Sequence, residues 1–394
     1  MKTSLRTFVA IALLALASKS TAAIAYTFQD LHDLAYVQSF AESGDTAPVG
    51  FLHNSNLGTD ERAAIWDGSG NSYTSLHPAS GFDWTRAQAA AGNRQFGFGE
   101  GLATGGLEHA LQWSGSAATV LDLHPGQFAV SRIVGASGTQ QVGIASSDPG
   151  GFLQGNRGNN RAVLWNDGAG AIELHPAGHI YSEAFDCYGN VQVGVVDDRA
   201  ALWLGSAASY VNLEQPGTYF SEAHGIFEDT QVGYANVGPS LQNSFSHAMI
   251  WFGSAASATD IHPASFVNSR AFAVSAAAIV GVASGSNPFD LHAVAWLGPD
   301  REFVDLSAVL GSNYIESWAV GLNDAGNIYG FARYVPTNKV HAVEWSPVPE
   351  PNSTLLLALG AVAAMARRKA STTKNGAKHR RCMPPAQRRA SASS

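Results

Sequence analysis

Residues 316–345 read ESWAVGLNDAGNIYGFARYVPTNKVHAVEW. Apolar and polar residues alternate in three short runs, broken by Asn-Asp-Ala-Gly-Asn at 323–327 and Pro-Thr-Asn at 336–338. A period of two between such breakers predicts short strands joined by turns. The last run closes on His-Ala-Val-Glu-Trp, and its Ala-x-x-Trp ending occurs seven times: AAIW at 63, ALQW at 110, AVLW at 162, AALW at 200, AMIW at 248, AVAW at 293 and AVEW at 342. Successive tryptophans (Trp66, Trp113, Trp165, Trp203, Trp251, Trp296, Trp345) lie 38 to 52 residues apart. The residue before each alanine is His at 109, 247, 292 and 341, and Arg at 62, 161 and 199.

Two further marks keep step with the tryptophans. A run such as VLDL at 120 recurs at 28, 73, 171, 210, 258 and 303, and an apolar x-Gly-x piece ends near 51, 98, 144, 195, 234, 282 and 331. Between them stands Ser-x-Ala in several copies, as at 182, 221, 269 and 317. Each unit therefore holds four short strands, and the body reads as all-β: a seven-bladed β-propeller of about 46-residue repeats spanning 26–347. A β-solenoid is the alternative. The ends favour the ring: the chain enters on YTFQDL, a segment that elsewhere follows a tryptophan strand, and leaves on HAVEW, which has no successor. A ring pairs the two, whereas a linear stack leaves both edges open. The alanine-rich GSAAT, GSAAS and GSAASAT pieces after the tryptophans are too short for helices and read as turns.

On these residues, copy seven above all, the body resembles the HAF-type extracellular repeat of bacterial secreted proteins. That family combines a Ser/Ala strand, an Asn-Asp-x-Gly turn, a Val-Gly strand and a His-Ala-x-x-Trp strand. Copies one to six mostly lack Asn-Asp-x-Gly. The resemblance covers nearly all of 26–347 and implies repeats and secretion, with no reaction attached.

The two ends carry addresses. Lys2 and Arg6, the apolar stretch Phe8 to Ala17, and Ala23-Ile24-Ala25 form the three parts of a secretory signal peptide over 1–25. About ten apolar residues are too few to span a bilayer, which takes roughly twenty. At the other end VPEP (348–351), the apolar run Leu355 to Ala366 and the cluster Arg367-Arg368-Lys369 resemble the PEP-CTERM sorting signal over 348–369. The basic cluster would stay on the cytoplasmic side by the positive-inside rule. The resemblance implies a transient inner-membrane transmembrane stage, then cleavage by an exosortase near Pro349, Glu350 and Pro351, with Arg367 and Arg368 as the stop, and delivery to the cell surface or matrix. A plain C-terminal membrane anchor is the alternative. Residues 370–394 form a basic, Pro/Ser/Ala-rich tail read as disordered.

Removing the two basic ends exposes the character of the body. Between Tyr26 and Glu350 there are 31 acidic side chains against 11 Lys or Arg, a net charge near −20. Such a surface repels phosphate backbones, which argues against nucleic-acid partners. Cys187 would have no partner once the tail carrying Cys382 is removed, and among the acids of EAFDCYGN it reads as a small buried apolar side chain.

No catalytic, cofactor or metal set emerges from the spacing. The four His-Ala-x-x-Trp histidines and the His-Pro histidines His77, His124, His175 and His262 sit at equivalent points of different units, so symmetry spreads them around a ring. NDAGN at 323 and the WDGSGN and WNDGAG turns resemble calcium loops but lack their carboxylate count. Asp197 and Asp198 lie in a tight hairpin, where neighbours on a strand point to opposite faces. Long loops at 146–162, 237–247 and 284–292, all between the Val-Gly and tryptophan strands, mark one face as the candidate binding surface, with Asn159, Asn160, Phe245 and Phe289 as contacts. The expectation is a secreted, non-enzymatic binding or structural module for exopolysaccharide or protein. The alternatives are a polysaccharide-active glycosidase or lyase on the same scaffold, and a coat protein without a specific ligand. The seven tryptophans are expected in the core between blades rather than as sugar platforms.

Overall fold

Each repeat folds into four antiparallel strands, as the alternation requires. The computed structural model describes residues 25–348 except 56–59, 69, 151, 153–156, 168–169 and 288. Blade 1 consists of Gln38–Ser43, Val49–His53, Glu61–Trp66 and Tyr73–Ser75, hydrogen-bonded in that order. Blades 2 to 6 repeat the pattern over 84–122, 130–173, 182–212, 218–260 and 268–305. Blade 7 takes its inner three strands, Tyr314–Leu322, Ile328–Tyr334 and Lys339–Pro347, from the end of the propeller and its outer strand, Tyr26–Asp30, from the beginning. The register runs from Tyr26 opposite Pro347 to Asp30 opposite Val343, so the protein is an all-β, seven-bladed β-propeller closed by its own ends. No linear stack forms. The Ala-rich pieces read as turns are single 3-10 turns in three blades, Ala117–Thr119, Ala207–Ser209 and Ala255–Ser257. The signal peptide, the sorting segment from Pro349 onward and the basic tail lie outside the described residues.

The repeated residues are those that let one blade pack on the next. The outer strands are short, and in blades 1 to 5 and 7 the alanine of Ala-x-x-Trp bonds through its carbonyl to the Leu or Ile just past the outer strand. In all seven blades the alanine N–H has no ladder partner in its own sheet. It donates instead to a hydroxyl on the inner strand of the next blade: Ser39, Thr85, Ser131, Ser182, Ser221, Ser269 or Ser317, at 2.8–3.1 Å. A buried orphan N–H costs roughly 1–3 kcal/mol, so each hydroxyl removes that cost at one interface. The seven tryptophans are buried, at 0–5 % exposure, in clusters that draw on adjacent blades. Four indole N–H groups reach back to the preceding blade, Trp66 to Leu31, Trp165 to Leu123, Trp296 to Ile261 and Trp345 to Leu306. None of the seven is placed to stack on a ligand.

The Val-Gly mark has a steric cause. A Cβ on Gly50, Gly97, Gly143, Gly194, Gly233, Gly281 or Gly330 would lie 1.8–2.0 Å from a backbone oxygen of the neighbouring inner strand. The two strands approach this closely just before a β-bulge that recurs in every inner strand. A bulge inserts one unpaired residue and twists the strand, and here it does so seven times around the ring.

Trp203 isolates the packing term, because its indole nitrogen has no hydrogen-bond partner among the described residues. Trp203→Ala should cost about 3–5 kcal/mol of stability, read as a clear drop in melting temperature. Unchanged melting would remove this residue from the core.

Candidate binding site

The unpaired bulge residues are Glu42, Gln88, Val134, Phe185, His224, Phe272 and Val320. All seven line one cavity of about 620 Å³ at the ring axis. Its remaining wall comes from the ends of the inner strands, including Tyr188 and Phe227, from the turns joining inner to second strands, including Asp45, Asn323 and Asp324, and from Ile144 on a second strand. The cavity thus opens at the end of the propeller where those turns lie. Phe185 stacks on His224 with ring centroids 4.8 Å apart, and Phe272 meets the same imidazole edge-on at 5.6 Å. His224 is held by Glu222, which accepts from its Nε2 at 2.9 Å.

Two carboxyl groups in this cavity are perturbed alike. Removal from water pushes Glu42 up to about 7, against a lowering pull from Arg86. It pushes Asp186 up to about 7 as well, although Asp186 accepts N–H bonds from Cys187 at 2.8 Å and Ile226 at 3.0 Å. Glu42 has no hydrogen bond or ion pair among the described residues. Arg86 is itself engaged in a fork with Glu61.

Two residues earlier on each inner strand stands a second row: Phe40, Arg86, Arg132, Glu183, Glu222, Arg270 and Trp318. Here Arg86, Arg132, Glu183 and Glu222 are paired, while exposed Arg270 lies over the Tyr234 ring at 4.5 Å. Arg132 is paired with Glu108 and lies over Phe98 at 4.7 Å and Phe152 at 4.4 Å. Arg157, from a long loop of blade 3, bonds both Glu183 and Glu222 on two later blades.

The residues singled out from the loops lie at the opposite end, where second strands pass to third. Asn159 is exposed at the end of a 3-10 turn, Arg157–Asn159. Asn160 is buried and donates Nδ2 to Glu183 at 2.7 Å, so it serves the wall of the ring. Phe245 and Phe289 are 50 % and 73 % exposed. The structure does not gather these four into the cavity. What gathers there is the bulge row, which sequence reading passed over. Its signal was available: with the seven units aligned, the position after an inner-strand alanine (Ile133 in blade 3) holds Glu, Gln, Val, Phe, His, Phe and Val, while the Ser or Thr three residues before it is kept.

The repeated histidines are accounted for by the fold. His32, His77, His124, His175 and His262 place Nδ1 2.8–3.0 Å from the interface hydroxyl. In His124, His175 and His262 the Nε2 faces a backbone carbonyl, which can only accept. The ring is therefore neutral with its proton on Nε2, and the hydroxyl donates to Nδ1 while accepting the alanine N–H. Burial lowers His32 and His77 to about 4 and the others below the ordinary value. These Ser–His pairs look like nucleophile and base, but their hydroxyls are buried. Each His-Ala-x-x-Trp histidine pairs with an outer-strand aspartate, His109 with Asp122, His247 with Asp260, His292 with Asp305 and His341 with Asp30, at 2.7–2.8 Å. Where Arg replaces His, glutamate faces it in two blades, Arg161 with Glu173 and Arg199 with Glu214. Asp197 and Asp198 adopt positive φ in their hairpin and hold His179 and Tyr181. Cys187 is buried, and its thiol is pushed up by that burial. Among the described residues no three His, Cys, Asp or Glu side chains assemble as a metal site.

Residues 347–369 match the family model of the PEP-CTERM protein-sorting motif. The C-terminus carries a PEP-CTERM signal. Such a signal points to an exported, surface-sorted protein and implies recognition by an exosortase. From Pro349 onward the motif lies outside the described residues, and no described helix is long and apolar enough to cross a membrane. No curated protein matches the chain. Among solved structures it is similar to the β-propeller domain of the Trilobed protease from Pyrococcus furiosus, described as having an open velcro topology, at 9 % identity and TM-score 0.50 over 78 % of this chain and 95 % of that one. It also matches prolyl endopeptidases at 11 % identity and TM-score 0.49 over 80 % of its own length, and spans about half of theirs, 51 %. A Pyrococcus horikoshii acylaminoacyl peptidase matches at 10 % identity and TM-score 0.49, over 85 % of this chain and 54 % of that one. At such identities the likeness speaks to the fold alone.

Glu42 gives the cavity a pH signature. Its folded pKa lies above the ordinary carboxyl value, so the folded state favours the protonated form. That stability is present below about pH 4 and is lost as pH rises through about 7. The lowered histidines act in the opposite sense, but they are common to parent and variant and cancel in a difference. Glu42→Gln should therefore melt higher than the parent at pH 8, with the gap closing toward pH 4. An equal or lower melting temperature at pH 8 would contradict a desolvated carboxyl at this position.

Proposed function

We propose that this is an exported, exosortase-processed surface or matrix protein whose axial cavity binds extracellular polysaccharide without acting on it chemically. In this reading the repeats are of the HAF type. The apolar run 355–366 holds the chain at the inner membrane until cleavage near Pro349–Pro351, with Arg367 and Arg368 as the cytoplasmic stop.

The supporting observation is where the seven blades differ. Interface positions repeat Ser or Thr, Ala, Gly and Trp, whereas the bulge row holds five residue types at seven equivalent places. Blades 3 and 7 form the same bulge with valine, so the fold does not call for Glu, Gln, His or Phe there. A cavity of about 620 Å³ falls within the usual range for ligand sites. Phe185, His224 and Phe272 offer flat faces for sugar rings, and Gln88 and Asn323 offer hydrogen bonds. Asn159, Phe245 and Phe289 form a second contact face at the other end in the same proposal, while Asn160 keeps its structural bond to Glu183.

One observation favours a second reading. Glu42 and Asp186 are two carboxyl groups in one cavity, the pair a glycosidase needs. Asp186, however, is engaged by two backbone N–H groups and is held in place by them. A polysaccharide array scored for both binding and product release separates the two readings. Binding without product, weakened roughly tenfold or more in Phe272→Ala through loss of stacking, is the expected outcome. Product release abolished by Glu42→Gln would establish the enzyme instead.

A further inference from the structure

Taking the polysaccharide reading as its basis, we infer that the cavity is selective for a cationic saccharide, one whose rings carry free ammonium groups, as in a de-N-acetylated hexosamine polymer. The lining contains four carboxyl side chains and neither lysine nor arginine. Asp45 and Asp324 are exposed at the mouth, and Glu42 and Asp186 are half-buried beyond them. Of the arginines in the adjoining row, Arg86 is committed to Glu61 and Arg132 to Glu108, while Arg270 lies outside the lining, over the Tyr234 ring at 4.5 Å. A uronate or sulfated chain would find no lysine or arginine in the lining, against a body that already carries a net charge near −20.

Glu42 makes the selectivity specific to one atom group. Of the two half-buried carboxyl groups, Glu42 is the one without a hydrogen bond or ion pair among the described residues, whereas Asp186 accepts two backbone N–H groups. A carboxylate drawn out of water and left unpaired is costly, and an incoming ammonium supplies both the charge and the hydrogen bonds it lacks. Phe185 and Phe272, on non-adjacent blades, add ring faces on which an ammonium-bearing sugar gains cation–π attraction. A neutral N-acetyl group would use the ring faces but leave Glu42 unpaired.

The test is calorimetric titration at neutral pH of the exported protein, and of its Glu42→Gln and Phe272→Ala variants, with four probes. These are a glucosamine hexamer, the N-acetylated hexamer, a galacturonate hexamer and spermidine. The expected result is a glucosamine hexamer bound roughly tenfold or more tighter than its acetylated form, with no binding of the galacturonate. Glu42→Gln should erase that preference, so that the two hexosamine hexamers bind with equal affinity. Glu42→Gln removes no bond within the protein, and its melting curve checks that it folds. Equal affinity for the two hexosamines, tighter binding of the galacturonate, or a preference that survives Glu42→Gln would overturn the inference. If neutral hexamer still binds in a Phe272-dependent way, the polysaccharide reading survives that loss. Binding of spermidine without either hexamer would overturn the saccharide assignment. Absence of all binding would overturn both.

Discussion

A hydroxyl group at each blade interface carries the architecture. The third strand of every blade outruns its short outer strand and leaves one buried alanine N–H without a partner. Ser or Thr on the inner strand of the next blade accepts it, seven times around the ring. The contact requires a small residue at the donor, hence alanine, and the same strand carries the buried tryptophan three positions later. In five interfaces a neutral histidine locks the hydroxyl from the far side, at Ser39, Thr85, Ser131, Ser182 and Ser269.

Because these interfaces hold the ring, the axis is released from packing duties. The bulge in each inner strand turns one residue out of the ladder, and the glycine on the second strand exists to let the backbone come close enough to form it. The result is seven equivalent positions whose side chains have no common task in the fold. Their divergence into Glu42, Gln88, Val134, Phe185, His224, Phe272 and Val320 builds an asymmetric, aromatic and acidic cavity on a symmetric frame.

The fold was legible because its cause is local and repeated. A period-two pattern, a tryptophan every 38 to 52 residues and complementary ends were enough to predict a closed ring, and Tyr26–Asp30 pairs with the final strand. The histidines recur at equivalent points of the units, and their pairing with Asp30, Asp122, Asp260 and Asp305 needed coordinates. The cavity was harder to see. Its residues come one from each blade, and singly Gln88 or Val134 looks like any strand residue. A bulge is a one-residue slip that a reading based on alternation absorbs without trace. Loop length drew attention to Asn159, Phe245 and Phe289, which lie at the other end of the ring, and to Asn160, which the fold uses for Glu183.

The dependence of the ring on the interface hydroxyl is tested most directly at Ser131, where Ala110 donates at 3.0 Å and His124 closes the other side at 2.8 Å. Melting temperatures of Ser131→Ala and Ser131→Thr, measured side by side, decide the matter. Ser131→Ala leaves a buried N–H unpaired, worth about 1–3 kcal/mol, and should lower melting by several degrees. Ser131→Thr keeps the oxygen, as Thr85 does in blade 2, and should melt close to the parent. Equal melting of parent and Ser131→Ala would contradict the account.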